Sequence, residues 1–211
     1  DSRIGQITDL KVGIDSDFES PVFGLIDSSA RRNVRKSIKE GITVEKSYKH
    51  FRELEKLHRQ NMMDISGRPK DTRFFELVPY FFKEGSDFNL YTAWLGGQIV
   101  GALLVFYFGK VVEYFTPAVS REHRSLQPLA AILKVAIEEA ISKGFKKWNW
   151  GGTWLSQEGV YKFKRKWGAK DYKYTYYVQL NDYDILHMDQ HEITDKFENF
   201  YVVPFEELKQ C

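Results

Sequence analysis

The segment Tyr161-Lys162-Phe163-Lys164-Arg165-Lys166-Trp167-Gly168 holds the residues best suited to chemistry. From Tyr161 to Lys173 six cations (Lys162, Lys164, Arg165, Lys166, Lys170, Lys173) meet a single acid, Asp171, with Tyr161, Phe163, Trp167 and Tyr172 interleaved among them. Cations beside aromatic faces suit a phosphate backbone with stacked bases, or a phosphorylated carrier. Long cationic side chains lying over an aromatic surface give the same pattern. Just upstream, Gly151-Gly152 lacks side chains, so a ligand or another backbone can come close.

A second basic face lies near the N-terminus. Arg31, Arg32, Arg35, Lys36 and Lys39 recur at four-residue spacing on one helix face, where an anionic partner would relieve their mutual repulsion. Charge is uneven along the chain. From Asn181 onward eight acids face two bases, so that stretch carries −6 and residues 1–180 carry +8, given the net +2. A basic body favours polyanionic partners. Glu113, Tyr114 and Tyr161 are candidates for proton transfer. His187 and His191, four apart, are at most half a metal site on a helix, and no metal is expected.

Elements that must position these residues follow from periodicity. Ser28-Ser29 reads as the N-cap of a helix over residues 30–40 closed by Gly41, with a short strand at 42–45 after it. Helices are expected at 49–61 and 72–83, separated by the Gly67-Arg68-Pro69 break. An antiparallel meander follows, with strands at 88–95, 98–108 and 111–117 joined by tight turns at Gly96-Gly97 and Gly109-Lys110. The strongest helical pattern spans 125–143. A strand at 145–150, a short helix at 159–167 and a strand at 171–180, with Tyr172, Tyr174, Tyr176 and Val178 alternating, complete the pattern. The first 27 residues show no clear period. A helix between two strands makes a right-handed crossover, so the strands on either side of 125–143 should be parallel neighbours. The expected fold class is α/β (α+β), a mixed sheet with an antiparallel meander and flanking helices.

The lone cysteine, Cys211, excludes disulfide frameworks within one chain. No run approaches ~18 apolar residues, so no transmembrane segment is expected and the chain reads as cytoplasmic.

Four pieces in order resemble the FemAB-like branch of the GNAT acyltransferase superfamily, the aminoacyltransferases that build peptidoglycan cross-bridges. They are Ser29-Ala30-Arg31-Arg32-Asn33-Val34-Arg35-Lys36 before the Gly41-Ile42-Thr43-Val44 strand; Trp94-Leu95-Gly96-Gly97-Gln98-Ile99-Val100-Gly101; Trp148-Asn149-Trp150-Gly151-Gly152; and Val160 to Ala169. The resemblance implies a GNAT-like fold. It also implies transfer of an aminoacyl or acyl group onto an amine of a cell-envelope or polysaccharide precursor, with Phe163 and Lys164 at the transfer centre. Gly151, Gly152, Tyr161, Arg121 and Arg124 are the expected substrate contacts. Arg31, Arg32, Arg35, Lys162, Arg165 and Lys166 are the expected polyanion contacts. No bound cofactor is expected; the co-substrate is aminoacyl-tRNA or acyl-CoA. A GNAT that uses acyl-CoA cradles the pyrophosphate on glycine-rich backbone N–H groups at the start of its long helix. The corresponding stretch, Ser120 to Pro128, has no glycine and ends in a residue without an N–H, which favours aminoacyl-tRNA. A third reading is a non-catalytic domain of the same fold that binds tRNA or an anionic carrier. FemAB-like proteins resemble two GNAT-like domains in tandem. By that comparison residues 1–41 are the end of a preceding domain or linker plus the basic helix, 42–180 the transferase domain, and 181–211 an acidic tail.

Overall fold

The computed structural model describes residues 3–10, 19–173 and 179–196. It divides into two units, residues 1–172 and 173–211.

In the first unit seven strands form one sheet in the order β2-β3-β4-β5-β6-β1-β7. They are β1 (Arg3–Asp9), β2 (Thr43–Lys46), β3 (Phe88–Leu95), β4 (Gln98–Phe108), β5 (Val111–Val119), β6 (Lys147–Trp154) and β7 (Lys170–Tyr172). All neighbours are antiparallel except β5 and β6, which run parallel over Val111–Glu113 and Lys147–Asn149. The meander and the parallel crossover are therefore as the periodicity predicts. Side chains alternate across the strands and build two apolar layers. On one face Phe88, Leu90, Ala102 and Leu104 pack against helices α3 (Phe51–Asp64) and α4 (Thr72–Phe81). On the other, Tyr91, Leu103, Val105, Trp148 and Trp150 pack against α1 (Pro21–Leu25), α2 (Ser28–Lys39) and α5 (Pro128–Ser142). Helix α6 (Glu158–Lys166) packs its Phe163 against that second layer.

Several boundaries depart from the periodicity. Asp27, rather than the serines, caps α2 by accepting from Ala30 N at 2.7 Å. The long helical pattern splits into a 3-10 turn over Arg121–Leu126 and α5, because Gln127 sits at φ 62, a left-handed conformation that no helix continues through. Strand β6 runs on to Trp154 instead of ending at Trp150.

The largest difference is β1, where no period was expected. It lies between β6 and β7 inside the same sheet as residues 43–172. Its inward residues include Gln6 and Thr8, fully buried yet polar, so the strand carries no apolar alternation to read. β7 covers only the first residues of the expected 171–180 strand, and Tyr174, Tyr176 and Val178 lie outside the described residues.

In the second unit a 3-10 turn (Tyr183–His187) precedes helix α7 (Gln190–Lys196). His187 and His191 thus belong to different elements, separated by extended Met188, and their spacing does not put them on one helix face. Among the described residues no group of three or more His, Cys, Asp or Glu side chains could hold a metal ion, and no helix is long and apolar enough to cross a membrane.

Candidate active site

Beyond Glu113 and Asn149 the parallel pair comes apart: β5 continues along β4 while β6 continues along β1. Ligand sites in open sheets form where neighbouring strands diverge in this way. A cavity of about 270 Å³ opens there, lined on one side by Pro117, Ala118 and Val119 of β5 and on the other by Phe163 and Trp167. Asn33, Asn61 and Arg124 add polar groups, and the start of α5 (Pro128 to Ala130) forms the floor. A larger cavity of about 740 Å³ has His50, Glu53, Trp94 and Arg121 in its wall. We assign the site to the smaller one because it sits in the strand divergence and holds Phe163.

Phe163 and Lys164 point to different places. Phe163 borders the cavity and meets Trp150 edge-on, with ring centroids 6.1 Å apart. Lys164 turns toward the β6–β1 side, is 4% exposed, and does not line the cavity. Its Nζ donates to Thr153 Oγ1 at 2.7 Å and, more loosely, to Gly152 O at 3.4 Å. Thr153 Oγ1 passes its own proton to Gln6 Oε1 at 2.9 Å, while Gln6 Nε2 is buried without a partner. A hydroxyl and a carbonyl satisfy the ammonium geometrically and leave its charge unneutralised. Burial first, and then the charge of Arg3, lower its pKa to about 8.

A second chain of bonds fixes the neighbouring aromatics: Trp150 Nε1 donates to Thr8 Oγ1 at 2.8 Å, and Thr8 Oγ1 donates to Trp167 O at 2.9 Å. Strand β1 thus supplies both polar anchors of the site, Gln6 and Thr8. Their role depends on a partner 140 or so residues away, and nothing local in the sequence marks it.

Gly151 and Gly152 lie inside β6. Gly152 pairs with Gly5 of β1, and Gly151 sits at φ +72 where the β1–β6 register shifts, a bulge that L side chains resist. The backbone beside Gly152 is that of β1, whereas the space a Cβ of Gly151 would take is open.

The two arginines just before α5 lie near one carboxylate, Arg124 within hydrogen-bond reach and Arg121, largely exposed, beyond it. Arg124 Nη2 lies 3.1 Å and Arg121 Nη1 3.9 Å from Asp64, whose side chain is 10% exposed. Arg124 still reaches the cavity wall, whereas Arg121 faces the larger cavity. Tyr161 is on the exposed side of α6 and donates to Asp171 Oδ2 at 2.7 Å, a bond that raises its pKa. Of the other proton-transfer candidates, burial raises the Tyr114 pKa, and Glu113 accepts from Asn149 Nδ2 at 2.8 Å.

Among the basic residues, Lys162 pairs with Glu158 at 2.5 Å, Arg165 donates to Ala169 O at 3.1 Å, and Arg31 donates to Phe23 O at 2.9 Å. The Arg35 guanidinium lies over the Phe23 ring, 5.2 Å from its centroid. Arg32 and Lys166 are exposed. Asp27 N donates to Lys166 O at 2.9 Å, so the start of α2 meets the end of α6. Sequence reasoning missed Thr153, Gln6, Asn61 and Asp64.

The fold has known counterparts. The structure of FemX superposes with a TM-score of 0.69 at 16% identity, covering 80% of this chain and 59% of that one. The C-terminal domain of a putative lysylphosphatidylglycerol synthetase from Agrobacterium fabrum gives 0.56 at 12% identity, covering 80% and 57%. An aminoglycoside acetyltransferase from an uncultured soil metagenomic sample, in complex with sisomicin, gives 0.51 at 15% identity, covering 68% and 99%. This chain therefore spans less than two thirds of the first two. A comparison with curated protein sequences returns no match. The model of the acetyltransferase (GNAT) domain matches residues 28–174, most of the chain. The chain belongs to the GNAT acetyltransferase-domain family.

Proposed function

We propose that this acyltransferase domain moves an aminoacyl group from aminoacyl-tRNA onto an amine of a cell-envelope or polysaccharide precursor. The observation that carries the choice of donor is the start of α5. A pyrophosphate needs main-chain N–H groups or unpaired cations there. Pro128 at the first helical position has no N–H, Gln127 N already donates to Arg124 O, and Arg121 and Arg124 share Asp64. Exposed Arg32 and Lys166, on two helices that meet end to end, give a tRNA backbone somewhere to lie. Arg31, Arg35, Lys162 and Arg165 extend the same basic surface in this reading.

In the reaction the acceptor nitrogen attacks the ester carbonyl carbon. A C–N bond forms, the C–O bond to the ribose breaks, and the proton lost from nitrogen ends on the departing ribose oxygen. Phe163 shapes the wall against which the acyl group rests, while Lys164, which faces away from that cavity onto Thr153 and Gly152, takes the negative charge on the attacked oxygen once the donor ester reaches the β6–β1 side. What supports this role is an ammonium held in a shielded place by uncharged partners. A further domain, as in the tandem arrangement, would complete the acceptor site.

The test is a transfer assay offering labelled aminoacyl-tRNA or acetyl-CoA in parallel, with a peptidoglycan precursor or an amino sugar as acceptor. Label should pass to the amine from the tRNA ester alone. Transfer from acetyl-CoA with none from aminoacyl-tRNA overturns the proposal.

A further inference from the structure

The open edge of β5 carries a contact that the donor reading does not use. Ser120 N donates to Val100 O across the β4–β5 ladder at 2.9 Å. Val119, one residue earlier, therefore turns its own N–H and C=O the other way, into the gap left by β6. Strand edges of this kind take up extended ligands that carry amides, through the same paired bonds that join strands. Here a side chain makes the pairing. Asn61 Nδ2 donates to Val119 O at 2.8 Å, and Asn61 Oδ1 accepts from Val119 N at 2.9 Å. A carboxamide that gives one bond and takes one is the chemical equal of a peptide unit. Two residues back along the same edge stands Pro117, which has no N–H. Both residues line the cavity with Phe163, and neither offers a ligand a main-chain donor.

We propose that Asn61 determines donor specificity: it occupies the β5 edge in the place of a ligand amide and excludes donors that bind through an amide-bearing arm. A CoA thioester, with two amides in its pantetheine arm, is the chief donor excluded. An aminoacyl ester of a ribose has no such arm and loses nothing to the plug. The inference rests on the aminoacyl-tRNA reading, and the experiment separates the two.

Acetyl-CoA is titrated calorimetrically into the wild type, Asn61→Ala and Asn61→Ser, with a thermal melt of each to show that it is folded. The variants should bind at least about fivefold more tightly than the wild type, since two main-chain bonds of about 0.5–1.5 kcal/mol each become available. Folded variants that bind no better than a non-binding wild type overturn the role of Asn61 and leave the donor reading standing. A wild type that itself binds acetyl-CoA at micromolar concentration overturns both. Should neither variant fold, the wild type is titrated with acetyl-CoA and with adenosine 3′,5′-bisphosphate, which lacks the arm. Acetyl-CoA binding no tighter than the nucleotide supports exclusion of the arm. A preference of tenfold or more for acetyl-CoA overturns it.

Discussion

The Lys164 ammonium rests on the Thr153 hydroxyl at 2.7 Å, and that hydroxyl in turn donates to Gln6 of β1. Burial and the charge of Arg3 lower the Lys164 pKa to about 8, and an acceptor for the charged form works against that lowering. Replacing Thr153 by Val removes that acceptor and strands Gln6. The basic limb of the rate profile should move to lower pH, and stability should fall by about 1–3 kcal/mol in a urea melt. An unmoved limb would show that Lys164 is not the titrating group.

The same lysine makes stability and activity respond to alkali in opposite directions. Below pH 8 it is charged in both folded and unfolded chains. Between about 8 and its ordinary value the unfolded chain alone keeps the proton, so stability rises with pH. The slope is at most about 1.4 kcal/mol per pH unit. The proposed role in transfer needs the charged form, so transfer should decline across pH 8. Lys164→Met should abolish transfer and flatten the stability profile, as read by melts at pH 7.5 and 9.5.

Gly168 ends α6 with φ +76, and a Cβ there would lie 2.5 Å from Leu25 O, a backbone atom with no freedom to move aside. Gly168→Ala should cost roughly 2–3 kcal/mol, combining strain and displacement of α1 from α6. Chemical denaturation with an unchanged m-value would check it.

Asp64→Asn keeps the shape of the carboxylate and releases Arg121 and Arg124 from their shared partner. If tRNA lies across this surface, filter binding should show tighter association at low salt. The dependence of log K on log salt should steepen by about 1–2 units. Equal slopes would remove the arginines from the tRNA path.

Local chemistry made some of these elements legible and hid others. The strands at 88–95 and 98–108 are found where the pattern puts them, because β-rich runs flank a Gly-Gly turn. β1 escaped because its inward Gln6 and Thr8 belong to a buried hydrogen-bond network and not to an apolar stripe. Phe163 could be picked out beside cations in a short helix, but Lys164 facing away from the cavity could not, since that depends on how α6 packs over β6. Asn61 sits on a helix among polar residues and gains its meaning only where it meets Val119.

The position of β1 also sets a timetable. Arg3 pairs with Trp154 and Gly5 with Tyr172, so β1 is made well before either of the strands that flank it. During synthesis at ~5–20 residues per second, it waits on the order of ten seconds before either neighbour leaves the ribosome. The polar anchors Gln6 and Thr8 lack their partners throughout that interval, and the surroundings of Lys164 close only as β6 and β7 arrive. The hydrogen-bond network under Lys164 is thus assembled only after β6 and β7 are made, in the same event that seals the sheet.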